Sequence, residues 1–299
     1  MADKKVFSIV VTYNGKKWAD KCFRSLESSD YNTNVIAIDN DSSDGTPEYL
    51  SLKYPGVDVI KLDSNIGFGR ANNIGIQRAL KQGADFIFLL NQDAWIEPDT
   101  LQILLNEINA AIDIDLLSPM HFNGSGTALD FQFSRYLDPV RCPGLISDLC
   151  LRRTKSVYKI SDVNAAAWFM SREMVEKVGL FDEQFFIYGE DDNYRDRVHY
   201  EGFHIGITPL TKIYHDTEDR PSELKKVWKE YSLQEIKMRV IALNPNHGIL
   251  SKLIVVFRKS MRYILINIRD KSFLNVIGNI RALASGIFFT FRYDKTYKK

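Results

Sequence analysis

The chain has 299 residues, 45% apolar and 26% charged, with 39 basic against 38 acidic side chains, a composition that excludes a disordered polymer and supplies ample material for a core. The near-neutral total hides an asymmetry, because residues 250–299 carry eleven Lys or Arg against Asp270 and Asp294, a net of +9 that leaves −8 on the first 249. A basic, apolar tail beside an acidic body points to an anionic membrane surface as partner and away from nucleic acid.

Three cysteines, Cys22, Cys142 and Cys150, have no metal-ligand spacing and leave an odd number, which predicts a reducing intracellular compartment. The apolar run 6–11 near the start is too short for a signal peptide. That run is the first predicted strand. Residues 16–28 have helical spacing through Trp18, Cys22 and Leu26, and 35–38 form the next strand. Asp39-Asn40-Asp41-Ser42-Ser43-Asp44-Gly45 is dense turn chemistry, and Thr46-Pro47-Glu48 opens a short helix with proline near its first position. A third strand follows at 57–62, loop then helix at 67–81, a fourth strand at 86–90 and a helix at 98–112. This alternation predicts an α/β fold with a parallel, doubly wound sheet. From about Ser118 the pattern loosens, and residues 118–150 are expected to shape the pocket of a second substrate. Order returns as a strand at 162–170 and a helix at 172–178 closed by Gly179. Pro221 marks the expected end of the catalytic body, and helical patterns fill the remainder.

Phe86-Ile87-Phe88-Leu89-Leu90-Asn91-Gln92-Asp93 is an apolar run ending in a carboxylate, which reads as a strand covered on both faces. Ligands of open α/β sheets collect at the carboxyl ends of strands, so Asp93 stands where a divalent cation and a diphosphate can be held, a plain polar residue at a strand exit being the alternative. Mg2+ or Mn2+ there would take its other donors from diphosphate, water and a second protein ligand. His215, in Ile213-Tyr214-His215-Asp216, is the candidate, a structural histidine being the alternative. About a hundred residues beyond Asp93, Glu190-Asp191-Asp192 follows an aromatic-rich stretch. It is either a solvated first helical turn or an acid set beside apolar walls that takes a proton from a hydroxyl. Asp93 and this cluster together suggest a metal-assisted transfer enzyme.

Asp39, at the end of the second strand, is either a turn former or an acceptor for a nucleobase N–H, and Thr12-Tyr13-Asn14 would line the same cleft. Asn65-Ile66-Gly67-Phe68-Gly69-Arg70-Ala71-Asn72-Asn73-Ile74-Gly75 places glycines, amides and an arginine at a helix start, where backbone can approach a phosphate; a plain helix-start loop is the alternative. Its spacing fits neither a Walker loop nor a dinucleotide fingerprint.

Together these segments resemble the family 2 glycosyltransferases of the GT-A fold, in particular the branch that includes rhamnosyltransferases and galactofuranosyltransferases. The resemblance spans about residues 5–217 and is carried by Val10-Val11-Thr12-Tyr13-Asn14, the Asp39–Gly45 turn, Asn65-Ile66-Gly67-Phe68, Asn91-Gln92-Asp93, and Phe181-Asp182-Glu183 with the stretch 186–191. It implies a GT-A catalytic domain over 1–220, with a nucleotide-sugar half at 1–117 and an acceptor half at 118–220, followed by a helical, basic, amphipathic region at 221–299. It further implies that Thr12, Asn14 and Asp39 contact the nucleotide with Tyr13 beside them, and that Asn65, Arg70 and Asn72 surround the nucleotide sugar with Gly67. Asp93 matches the last position of the family's Asp-x-Asp metal motif. Asn91 stands in place of the first aspartate, with Gln92 between. Asp191 matches the catalytic base with Glu190 beside it, and His215, 24 residues later, fits a metal-ligating histidine. Trp168 either faces the acceptor or belongs to the core.

The activity so implied is an inverting, metal-dependent transfer of a sugar, rhamnose from dTDP-rhamnose as the leading reading, to a lipid-linked surface glycan at the cytoplasmic face of the cell membrane. A UDP-hexose or UDP-galactofuranose donor is the alternative within the fold. A non-catalytic nucleotide-sugar-binding or membrane adaptor, motivated by Asn91, is the alternative outside enzymology. A sugar nucleotidyltransferase would carry a glycine-rich Arg/Lys loop where this chain has Thr12-Tyr13-Asn14-Gly15.

Beyond the resemblance, 253–257, 263–268 and 273–291 are strongly apolar but interrupted by Arg258, Lys259, Arg262, Arg269, Lys271 and Arg281. No uninterrupted run approaches the roughly 20 residues that span a bilayer. Amphipathic helices lying in the membrane interface are expected, packing on the catalytic body or a homo-oligomer interface being the alternative.

Overall fold

The computed structural model describes residues 4–217, 233–269 and 273–293. In chain order the elements are β1 (Val6–Thr12), α1 (Lys16–Glu27), β2 (Thr33–Asp39), α2 (Thr46–Lys53), β3 (Asp58–Lys61), α3 (Phe68–Lys81), β4 (Phe86–Asn91), β5 (Ala94–Ile96), α4 (Thr100–Ala110), β6 (Leu116–Asn123), α5 (Phe131–Ser134), α6 (Leu145–Cys150), β7 (Tyr158–Lys159), β8 (Ala167–Ser171), α7 (Arg172–Val178), α8 (Glu190–Tyr200), β9 (Ile205–His215), α9 (Leu233–Leu243), α10 (Ile249–Arg269) and α11 (Phe273–Tyr293). They form two compact units, Met1–Phe186 with Glu201–Asp219, and Ile187–Tyr200 with Arg220–Lys299. The expected boundary at Pro221 lies outside the described residues.

The first unit is built on a nine-stranded sheet in the order β3-β2-β1-β4-β8-β6-β9-β5, with β7 paired to β9. Strands β1 to β4 are parallel to one another, as the strand–helix alternation predicts. All seven residues of β1 are buried, and so are the first five of β4, because helices cover both faces. Helix α1 buries Trp18, Ala19, Cys22, Phe23 and Leu26, a stripe at helical spacing. Helix α3 approaches β1 closely at Gly75, where a Cβ would lie 2.5 Å from Ile9 Cγ2.

The second half of the sheet is mixed. Strand β8 runs antiparallel to both β4 and β6, while β6 and β9 are parallel and β5 returns antiparallel on β9. The strand expected over 162–170 is therefore shorter and later, Ala167–Ser171, with a turn before it. The loosening expected from Ser118 starts inside a strand. Ser118, Pro119 and His121 interrupt the apolar alternation of β6, yet all but its last two residues are buried. Strand β9 escapes recognition for the same reason, with Gly206, Pro209 and Lys212 along it. A register shift between Pro119 and Met120 lets β9 carry three extra residues between Thr208 and Lys212, a bulge that sets the facing of both strand ends.

In the second unit Met238, Val256 and Ala282 make a small core with Ile241 and Leu283. Gly286 permits the close helix approach, since a Cβ there would lie 2.6 Å from Val256 Cγ1. Helix α10 buries Lys252, Val256, Ser260 and Ile264 on one face and exposes Leu250, Ile254, Phe257, Leu265 and Ile268 on another. Helix α11 likewise exposes Ile277, Ile280, Ile287, Phe288 and Phe291. Among the described residues no helix is long and apolar enough to cross a membrane.

Candidate active site

Where β1 and β2 end side by side, Thr12 Oγ1 donates to Asp39 Oδ1 at 2.8 Å, and Ser42 N–H donates to Asp39 Oδ2 at 2.9 Å. Asp39 is fully buried and organises the turn after β2, the local role that its sequence context offered. Asn14, at φ 47°, accepts from Ser43 N–H at 2.8 Å and donates its own N–H to Ser42 Oγ at 2.9 Å, tying the end of β1 to that turn. Gln92 latches the exposed Tyr13 from the next strand end, accepting its N–H at 2.8 Å and donating to its carbonyl at 3.1 Å.

The loop before α3 is held by an amide that sequence reasoning passed over. Asn40 donates to Asn65 Oδ1 at 2.9 Å and accepts from Ile66 N–H at 2.9 Å, while Asn65 Oδ1 also takes Gly67 N–H at 3.0 Å. Arg70 directs Nε and Nη2 onto the Glu183 carbonyl at 3.2 and 2.8 Å. Asn72 is buried and donates to Phe68 O at 3.1 Å within its own helix. Trp168 lies in β8 with no exposed surface, stacked on Phe181 at 6.1 Å between centroids.

A second cluster forms where β4, β6 and β9 end. After β4 the chain turns through Gln92 and Asp93 into β5, whose first residue, Ala94, pairs with His215, the last residue of β9. This register brings residues 93 and 215 together: His215 Nε2 is 3.3 Å from Asp93 Oδ1 and 3.4 Å from Asn91 Nδ2. Asn91 Oδ1 is buried and makes no hydrogen bond in this cluster. On the other side of the ring, His215 Nδ1 is 3.5 Å from Asp130 Oδ2. Burial alone would raise the Asp130 carboxyl, but the His215 contact and the Phe133 N–H bring it down to about 2. Behind them His121, fully buried, meets Ser118 Oγ at 3.0 Å, stacks on Phe133 and presents its ring edge-to-face with His215. Burial, helped by the neighbouring His215, pushes His121 down to about 3, so this ring is neutral at physiological pH. Neither Asp130 nor His121 was legible as a site residue; the N-cap that Asp130 provides to the short helix α5 is the one local signal it carries.

The donors Asp93, His215 and Asn91 Oδ1 supply a carboxylate, an imidazole nitrogen and an amide oxygen, a set that suits Mn2+ or Mg2+. Among the described residues no three His, Cys, Asp or Glu converge as a complete metal cage. The orphaned Asn91 oxygen fits a cation whose remaining ligands come from diphosphate and water.

In the second unit, Tyr188 and Gly189 both take left-handed conformations, at φ 67° and 86°, and lead into α8, whose first turn is Glu190, Asp191 and Asp192. Such a conformation is strained for tyrosine. Glu190 is buried with Oε2 lacking a hydrogen bond, and burial followed by the neighbouring Asp191 raises its pKa. Asp191 Oδ1 accepts Asp192 N–H at 2.9 Å.

A family model described as glycosyl transferase family 2 matches residues 8–179. A dTDP-rhamnosyl transferase of Shigella flexneri is 25% identical over 225 residues, covering 73% of this chain and 71% of that protein. An N-acetylglucosaminyl-diphospho-decaprenol L-rhamnosyltransferase of Mycobacterium tuberculosis is 22% identical over 230 residues, covering 69% and 74%. Among solved structures, S. aureus TarS residues 1–349 in complex with UDP-GlcNAc superposes with a TM-score of 0.64 at 15% identity, covering 98% of this chain and 91% of that one, a likeness of fold. With more than half of its length matched by the family model, the chain belongs to glycosyl transferase family 2 and is a glycosyltransferase.

Proposed function

We propose that this glycosyltransferase moves a sugar, with inversion, from a nucleoside diphosphate donor to a hydroxyl of a lipid-linked surface glycan, and that the donor is dTDP-rhamnose. The single observation that carries the metal-dependent reading is the meeting of Asp93 and His215 at the strand ends, 3.3 Å apart, with the Asn91 amide beside them. The rhamnosyl donor and the lipid-linked acceptor are supported by what the two rhamnosyltransferase relatives are named for.

Asp93 and His215 would hold Mg2+ or Mn2+, with Asn91 assisting. A divalent cation bound there supplies positive charge against the departing nucleoside diphosphate. Asp191 takes the proton of the acceptor hydroxyl as its oxygen bonds to the anomeric carbon and the bond from that carbon to the diphosphate oxygen breaks. The backbone around Thr12, Tyr13, Asn14, Asp39, Asn65 and Gly67 forms the nucleotide-sugar side, kept in shape by the hydrogen bonds described above.

The exposed apolar stripes of α10 and α11, flanked by the exposed Arg258, Lys259, Arg262, Arg269, Arg281 and Arg292, support docking of the C-terminal helices on an anionic membrane at its cytoplasmic face. A lipid-linked acceptor would be met there.

The test is a melting-temperature screen of the purified chain against dTDP-, UDP- and GDP-sugars, each with and without Mn2+. Selective, Mn2+-dependent stabilisation by dTDP-rhamnose is expected. Selective stabilisation by a UDP-sugar would replace the donor; no shift with any donor in a folded sample would overturn the donor and metal assignments.

A further inference from the structure

Asp130 joins two parts of the first unit that are far apart in sequence. Its Oδ1 accepts Phe133 N–H at 2.8 Å and its own N–H donates to His121 O at 2.9 Å, so its position is fixed from both sides. Its Oδ2 accepts from Thr217 Oγ1 at 3.4 Å and faces His215 Nδ1 at 3.5 Å. Asp130 is 1% exposed and His215 3%, so no bulk water competes for this contact.

A neutral imidazole carries one proton on one of two nitrogens. A carboxylate facing Nδ1 favours the proton there, because the other tautomer would set a nitrogen lone pair against carboxylate oxygens. The Asn91 amide N–H directed at Nε2, at 3.4 Å, agrees with a lone pair on that nitrogen. Nε2 faces a carboxylate as well, Asp93 Oδ1 at 3.3 Å, so without a cation the two carboxylates favour opposite tautomers. A cation between Nε2 and Asp93 removes that competition and leaves the proton on Nδ1, toward Asp130.

We propose that Asp130 is a positioning residue, which holds His215 as its Nδ1–H tautomer and presents the Nε2 lone pair to a divalent cation shared with Asp93. The inference rests on the metal reading of Asp93 and His215 and adds the group that makes His215 a competent ligand. Carboxylates placed behind ligating histidines act in this way, and losing one typically weakens metal affinity by roughly 10- to 100-fold.

Two variants separate this role from helix capping. Asp130→Asn keeps an oxygen for Phe133 N–H, which turns its NH2 toward His215 Nδ1 and favours the opposite tautomer. Asp130→Ser keeps a capping oxygen and removes the group facing His215. The full chain is titrated with Mn2+ in the presence of dTDP, free Mn2+ being read by electron paramagnetic resonance, and the His215 tautomer is read from 15N chemical shifts, assigned by its loss in His215→Gln. The expected result is an Nδ1–H tautomer in the wild type with Mg2+ and dTDP bound, and Mn2+ binding about 10- to 100-fold weaker in both folded variants. The tautomer measurement on wild type stands even if a variant fails to fold.

Wild-type Mn2+ affinity in both folded variants would overturn the proposal while leaving the metal site standing, and an Nε2–H tautomer in the Mg2+-bound wild type would overturn it by removing His215 from the cation. Wild-type protein that binds no Mn2+, or an Asp93→Asn variant that binds it as well as wild type, would overturn the metal reading and this proposal with it.

Discussion

Gly67 and Phe186 meet backbone to backbone: Phe68 N–H donates to Phe186 O at 3.1 Å, and a Cβ on Gly67 would lie 2.1 Å from that same oxygen. Gly67 also holds φ at 90°, a conformation that L side chains rarely adopt. The glycine of the Asn65-Ile66-Gly67-Phe68 motif thus has a packing reason that is independent of any ligand. Gly67→Ala is expected to lower folding stability by about 1–3 kcal/mol, measured by urea denaturation, with donor affinity reduced as a consequence of the displaced loop.

Asp191→Asn preserves an oxygen for the Asp192 N–H, which Asp191 Oδ1 accepts at 2.9 Å, so the start of α8 should stay intact. An amide is a far weaker base than a carboxylate. Turnover is expected to fall roughly 10²- to 10⁴-fold while donor-induced stabilisation persists, measured by steady-state kinetics beside thermal shifts.

His121 gives the fold a defined response to acid. Its ordinary value of 6.5 drops to about 3 in the folded chain because burial disfavours the imidazolium. Between those values the unfolded chain binds a proton that the folded chain refuses, so this contribution is intact above pH 6.5 and is lost as pH falls toward 3. Asp130, lowered from 3.8 to about 2, acts in the same direction at more acidic pH. His121→Gln should flatten the dependence of unfolding free energy on pH between 6.5 and 4.5, by up to about 1.4 kcal/mol per pH unit at full effect, as read from urea melts.

Arg258, Lys259 and Arg262 are exposed on α10 beside the apolar stripe through Phe257 and Leu265. Replacing all three by glutamate is expected to weaken binding to phosphatidylglycerol vesicles, each lost positive charge contributing about 1 kcal/mol at low salt. Phe257→Ser with Leu265→Ser should weaken binding at high salt too, since burial of apolar area is not screened. Flotation of the full chain with vesicles measures both.

The parallel half of the sheet was legible because β1 is mostly apolar and β4 is an apolar run through Leu90, and α1 shows its stripe through Trp18, Cys22 and Leu26. Strands β6 and β9 were not, since their buried polar residues, among them Ser118, His121 and His215, break the alternation that marks a strand. The Asp93–His215 pairing could be anticipated from residue chemistry and the family resemblance. Asp130 could not, because its contact with His215 depends on the strand ladder and not on neighbouring sequence. Arg70 and Asn72 read as ligand-facing groups, yet their hydrogen bonds go to the Glu183 and Phe68 carbonyls. A motif fixes residue types more readily than it fixes where their donors point.

The pairing of Ala94 with His215 has a consequence for how this chain folds. Asp93 is synthesised early, but its partner arrives 122 residues later and is placed only when β5 and β9 zip together. Closing so long a loop is an entropic cost that local structure cannot offset, and such contacts form slowly. A chain halted before residue 205 would therefore carry Asp93 without His215. Divalent cation binding, if it requires both residues, reports on completed folding, and Mn2+ should stabilise the finished first unit without assisting its early steps.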